Sequence, residues 1–330
     1  MSAPDPLAQA SALLQRRDLA GAYRLLAEAS NAGHARAAAE LADWRMSGQL
    51  IRRDLAAARD LYGRAADLGL DAARPVQIAL MASGAGGTSP RQWQAALGLL
   101  RQRATRDQMA SRQIALIDAM AIDEAGDPLS LPPFETASAE PLIRRCPQFM
   151  TVEECRYVAD LALPAIQPAV VVHPQTGQFI RDPVRQSGTA SFALVEEDPV
   201  LHALNRRIAR ATATDYAQGE PMQVLSYHPG EHYKLHSDAL PAGHNQRTDT
   251  FLVTLTTQFE GGATSFPKLG LELRGALGEA FHFRNVDAQG QPEPLAWHAG
   301  NPVTSGRKLL LSRWIRQVPL DLSGPPGRPF

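Results

Sequence analysis

Tyr227-His228-Pro229-Gly230-Glu231-His232-Tyr233-Lys234-Leu235-His236-Ser237-Asp238 is the stretch on which the reading of this chain turns. It ends with a histidine and a carboxylate two positions apart. In a strand, residues i and i+2 share a face, so His236 and Asp238 project together toward an interior while Ser237 points away. His298 stands 60 residues past Asp238 and must arrive from another strand. Two histidines and one carboxylate hold a divalent iron on one side and leave its other positions open. His-x-Asp alone is a common surface pair; the neighbouring sequence decides.

Those neighbours form an ordered series: Arg247, the apolar run Phe251 to Thr256, the turn Gly261-Gly262-Ala263-Thr264, then Ala280-Phe281-His282-Phe283. His298 follows, with Lys308 ten residues beyond it and Trp314 six beyond that. Over roughly 141–318 this series resembles the prolyl 4-hydroxylase branch of the Fe(II)/2-oxoglutarate dioxygenases. The resemblance implies a double-stranded β-helix, or jelly roll, with flanking helices. It implies that His236, Asp238 and His298 bind Fe(II), and that Lys308 pairs with the distal carboxylate of 2-oxoglutarate. Tyr227 and Thr264 match positions that hydrogen-bond the same co-substrate. A carboxylate at the closed end of an apolar barrel needs such a cation and neutral donors. Tyr233, Arg247 and Trp314 match positions near the substrate, and Arg185 in Val184-Arg185-Gln186-Ser187 matches an upstream arginine-serine pair.

The implied chemistry is hydroxylation of a prolyl residue in a protein or peptide. It uses O2, converts 2-oxoglutarate to succinate and carbon dioxide, and takes ascorbate as reductant. A free amino acid or small metabolite is the rival substrate. An interaction protein with an inactive jelly-roll scaffold is the rival class, opposed by the presence of all three ligands and Lys308. Two departures bear on the substrate. Thr254 stands where the family has tyrosine, implying a smaller pocket wall, and only eight residues, ALPAGHNQ, separate Asp238 from Arg247. A cupin without a keto acid is disfavoured because its motif begins His-x-His. A zinc helix through His228, His232 and His236 is broken by Pro229-Gly230 and lacks His-Glu-x-x-His. His34, His173, His202, His244 and His282 have no partner pattern and read as structural or exposed.

The first 125 residues have another texture, rich in the helix formers Ala, Leu, Arg and Gln. Asp18-Leu19-Ala20-Gly21-Ala22 is echoed by Asp54-Leu55-Ala56-Ala57-Ala58, a shift of 36, and Ala29 to Gly33 is echoed at Ala65 to Gly69 by the same shift. A weaker third copy starts at Trp93. A period in the mid-thirties is that of a helix-turn-helix repeat whose apolar face needs a stacked neighbour. Residues 35–73 resemble the Sel-type, tetratricopeptide-like repeat, with Gly48 and Gly69 where helices end.

The expected architecture is therefore an α+β multidomain chain. A helical repeat domain (1–125) leads through a proline-rich linker (126–140) to the jelly-roll domain (141–318) and a flexible Gly- and Pro-rich tail (319–330). Thr151-Val152-Glu153-Glu154 has capping-box spacing and opens a helix running to about Leu163. Ala169 to Val172, Gln223 to Tyr227, Phe251 to Thr256, Ala280 to Phe283 and Leu309 to Ile315 read as strands. With 33 basic against 34 acidic residues, neither nucleic acid nor a membrane is expected as partner. Cys146 and Cys155 have no framework spacing, and neither a secretory signal nor a long apolar run is present, so the expected location is the cytoplasm. A protein or peptide substrate recruited by the helical repeats is the expected partner.

Overall fold

The computed structural model describes residues 5–172, 179–181, 184–322 and 324. His173 and the tail from 325 onward lie outside them. The chain divides into two compact units: 1–127 with 193–204 and 321–330, and 128–192 with 205–320.

The first unit carries the helices Pro6–Gln15, Leu19–Asn31, Ala35–Ser47, Leu55–Asp67, Ala73–Ala82, Trp93–Ala104 and Gln108–Ala119. Local chemistry sets their ends. Asp5, Asp18, Asp54 and Asp107 each accept a hydrogen bond from a first-turn backbone N–H, and His34 does the same through its ring. Leu19–Asn31 and Leu55–Asp67 begin and end 36 residues apart, the shift seen in the sequence. Gly48 closes the helix before it at φ +65°, and Gly69 stands just past a helix end at φ +101°, both in the region that favours glycine. Buried Ala38, Ala42, Ala58, Ala65 and Ala73 let the helices approach closely around Met46, Tyr62 and Leu80.

The second unit is a β-sandwich. Its larger sheet runs in spatial order Glu135–Ser138, Ile143–Cys146, Ala280–Arg284, Arg247–Thr254, Lys308–Arg316, Gln223–Tyr227, Gly188–Ser191, Gln167–Pro168. The smaller runs Leu271–Leu273, Thr264–Phe266, His298–Gly300, His232–His236, Arg185–Gln186. The named pairs are antiparallel, and the chain alternates between sheets, as in a jelly roll. Phe266 and Leu273 from the smaller sheet meet Leu225, Leu252, Phe281, Phe283 and Leu310 from the larger one in a single apolar cluster. The helix Val152–Ala162 opens with the expected capping box, and Glu154 of that box also takes a two-pronged contact from Arg207. Among the described residues no helix is long and apolar enough to cross a membrane.

Two strand expectations are corrected. The central strand is Arg247–Thr254 rather than 251–256. Its polar start is held by pairing with Arg316 and Ile315, and Thr254 hands its N–H to Glu279 as the strand ends. The strand carrying the first histidine stops at His236, so Asp238 lies two residues past the ladder.

Candidate metal centre

Three side chains converge between the sheets. His236 and His298 are direct cross-strand partners although 62 residues apart in the chain. His236 Nε2 lies 3.5 Å from one carboxylate oxygen of Asp238, and His298 Nε2 lies 3.6 Å from the other. The three ligand atoms fall within 4.8 Å of one another, the spacing of donors around a single ion. Each imidazole bonds a backbone carbonyl through Nδ1: His236 to Lys234 at 2.8 Å and His298 to Ala296 at 3.0 Å. A carbonyl only accepts, so Nδ1 carries the proton and both Nε2 lone pairs face the centre.

The electrostatics suit a cation. Burial would raise the Asp238 carboxyl, but His298, His236 and a hydrogen bond from Thr250 outweigh it and hold it below the ordinary carboxylate range. Burial pushes His298 down to about 4, keeping it neutral. Phe266 and Phe283 pack against the His298 ring. Tyr233 stacks flat on His236, with ring centres 3.4 Å apart. Residues three apart face opposite sides of an unbroken strand. The pairing of His298 with His236 and of Gly300 with Tyr233 contains an extra residue on the 232–236 side, and this bulge turns Tyr233 onto the face that carries His236.

One chamber is lined by the triad together with Tyr227, Tyr233, Thr264, Lys308 and Trp314. Lys308 pairs directly with Tyr227 across two strands, and its Nζ donates to the Gly262 carbonyl at 2.6 Å. Burial lowers it to about 8, and among the described residues no carboxylate pairs with it. A buried cation short of an anion, on the wall of an apolar chamber, fits the far carboxylate of a dicarboxylic acid. Burial raises the Tyr227 hydroxyl above its ordinary value, so it stays a donor.

The remaining expected residues are placed differently. Arg247 grips Glu220 through two bonds of 2.6 and 2.9 Å and lies 3.7 Å over the Trp314 ring, which it supports from outside the chamber lining. Arg185 stands 5.8 Å over Tyr233 and lines a separate cleft of about 490 Å³ with Ser187 and His228. Thr254, expected in the pocket wall, is not among the chamber residues; it sits at the far end of its strand, beyond Leu252. Ser312 does line the chamber, and the period-2 series Lys308, Leu310, Ser312, Trp314 was the sequence signal for it. Sequence reasoning also missed Thr250 and Asn285. The Thr250 hydroxyl donates to Asp238 at 2.7 Å, and the Asn285 amide donates to Thr250 at 2.9 Å.

Other histidines serve structure. His202 is buried against Glu197. His282 bridges Asp249 and Arg144 at 2.8 and 2.7 Å. His244 is exposed.

Residues 222–316 match the model of the 2OG-Fe(II) oxygenase superfamily. The chain is 33% identical over 202 residues to prolyl 4-hydroxylase 1 of Arabidopsis thaliana, covering 56% of this chain and 71% of that protein. It is 30% identical over 187 residues to prolyl 4-hydroxylase subunit alpha-1 of Rattus norvegicus, covering 54% of this chain and 35% of the relative. Among solved structures, the viral collagen prolyl hydroxylase of Paramecium Bursaria Chlorella virus-1 is similar at 24% identity and a TM-score of 0.44, over 53% of this chain and 96% of that one.

Proposed function

Because the chain belongs to the prolyl 4-hydroxylase family of Fe(II)/2-oxoglutarate-dependent dioxygenases, we propose that it hydroxylates a prolyl residue in a protein or peptide. In this reading His236, Asp238 and His298 hold Fe(II), and Lys308, Tyr227 and Thr264 hold 2-oxoglutarate. The observation that carries it is the pairing of a three-donor cluster within 4.8 Å with a buried, anion-less lysine in the same chamber. With Fe(II), 2-oxoglutarate and O2 bound, the chemistry supplied is decarboxylation to succinate coupled to insertion of one oxygen atom into a C–H bond.

The chain's own side chains do the positioning. Lys308 supplies the charge for the distal carboxylate, and the Tyr227 and Thr264 hydroxyls donate to the same molecule. Leu225, Leu252 and Leu310 keep that end of the chamber dry. Tyr233 and Trp314 face the substrate. The Trp314 indole N–H is buried with no hydrogen-bond partner among the described residues, so it offers a donor to a peptide carbonyl. Arg247 holds the Trp314 ring, and Arg185 reaches the site mouth from its own cleft.

The helices of 1–125 act as Sel-type repeats that recruit the protein to be hydroxylated, supported by the 36-residue correspondence of two helices and their caps. Residues 126–140 link them to the oxygenase domain at 141–318, with 319–330 as a tail. The buried free thiols of Cys146 and Cys155, pushed up to about 11 and 12 by burial, suit a reducing cytoplasm. Ascorbate serves as reductant.

The test is incubation of candidate proteins, peptides and small molecules with enzyme, Fe(II) and 2-oxoglutarate. Stoichiometric succinate and one added oxygen on a prolyl residue are expected. Addition of oxygen to a free amino acid instead would favour the small-molecule reading, which the short 239–246 segment supports. No succinate with any substrate, and no visible absorption band on anaerobic addition of Fe(II) and 2-oxoglutarate, would defeat both.

A further inference from the structure

Among the described residues, Asp238 is the one side chain of the three at the centre with no hydrogen bond to the main chain. His236 and His298 sit in paired strands, and each ring is tied to a carbonyl two residues back. Asp238 lies past the end of its strand, and a carboxylate turns easily about its last torsion. What holds it is a side chain from the opposite sheet. Thr250, on strand Arg247–Thr254 and 1% exposed, donates its one hydroxyl proton to Asp238 Oδ2 at 2.7 Å. The same hydroxyl accepts from Asn285 Nδ2 at 2.9 Å. The Asn285 oxygen, 3.3 Å away, is a longer and uncharged alternative for that proton, and an ionised carboxylate is the stronger acceptor. Asn285 is itself fixed by its backbone: its N–H goes to Thr248 at 2.8 Å and its carbonyl accepts from Glu293 at 2.9 Å.

We propose that Thr250 and Asn285 are positioning residues for the metal centre, fixing the orientation of the Asp238 carboxylate toward the two histidine nitrogens. The Thr250 bond takes one lone pair of Oδ2 and so fixes the carboxylate plane, with Oδ1 3.5 Å from His236 Nε2 and Oδ2 3.6 Å from His298 Nε2. A carboxylate free to turn would lose its set toward the histidine nitrogens and would hold an ion less well. This inference rests on the reading of His236, Asp238 and His298 as metal ligands. It adds a polar chain that begins two strands away.

The test is titration of metal-free full-length protein with Co(II), followed by its visible spectrum, beside melting curves of the metal-free variants. Outer partners of metal ligands are worth about 10–100-fold in affinity, so Thr250→Val should weaken Co(II) binding by about tenfold or more and change the spectrum. Thr250→Ser keeps the hydroxyl and should stay within about twofold of wild type, while Asn285→Ala should lose affinity in the same direction but less than Thr250→Val. Wild-type affinity and spectrum in folded Thr250→Val would overturn the proposal. So would Thr250→Ser falling as far as Thr250→Val. If Thr250→Val does not fold, unchanged affinity in Asn285→Ala overturns it equally. A wild-type protein that binds no Co(II) overturns the ligand reading and this inference with it.

Discussion

The helical unit and the sandwich unit reach order by opposite routes. In the helical unit the decisive contacts are local: an aspartate caps the turn that follows it, and a glycine ends the helix that precedes it. In the sandwich they are remote: Tyr227 meets Lys308, His236 meets His298, and Asp238 meets a threonine from the other sheet. A lost cap therefore weakens one helix, whereas a lost cross-strand partner removes part of a site. Four experiments press on that difference.

The largest effect is expected at the centre. His298→Ala removes a donor from a three-donor set, and metal binding and succinate formation should both vanish while the circular dichroism of the fold remains. Next is Lys308→Met. Losing a buried cation–carboxylate pair costs about 3 kcal/mol, or roughly 100-fold in the KM for 2-oxoglutarate. Without co-substrate the same variant should melt at an unchanged or higher temperature, because the charge it removes has no anion among the described residues.

The third experiment is pH. Lys308 sits at about 8 in the folded chain, below its ordinary value of 10.5. As pH rises from 7 to 9 its cation is lost, and 2-oxoglutarate should bind roughly tenfold more weakly. The sign for stability is opposite. Between about 8 and 10.5 the unfolded chain holds this proton and the folded chain does not, so Lys308 makes folding more favourable as pH climbs. A KM that stays flat through pH 8 in wild type, or one that still rises in Lys308→Met, would assign the effect elsewhere.

The smallest effect belongs to the helical unit. Asp54→Ala removes one cap and should cost about 1 kcal/mol in thermal or denaturant unfolding. Succinate formation per folded molecule should not change. A raised KM for 2-oxoglutarate in this variant would break the contrast between local and remote order.

The same contrast explains what could be read from the chain. Helix ends were legible at Gly48, at Gly69 and at the Thr151–Glu154 capping box because each lies beside the turn it sets, whereas the caps Asp18, Asp54 and Asp107 went unread. The triad, Lys308, Tyr227 and Thr264 were legible through the family resemblance that the ordered series of motifs carries, and the structure places them around one chamber. The start of the central strand was hidden because Arg247, Thr248 and Asp249 are polar and are stabilised by Glu220, Ile315 and His282 from elsewhere. Thr250 and Asn285 were hidden for the same reason: no local pattern says that a threonine hydroxyl will meet a carboxylate across the sandwich. Tyr233 on the His236 face was hidden by a bulge, which shifts alternation without leaving a mark in composition.

The direct pairing of His298 with His236 has a consequence for how the protein matures. A slip of one residue between those strands would carry one imidazole to the opposite face and leave the other without its mate. An ion that needs both rings binds the correct alignment and ignores the slipped one, and it stabilises the form it binds by mass action. In the proposed function an ion held there would also act as a checkpoint, favouring the chain that has closed its smaller sheet in the right alignment.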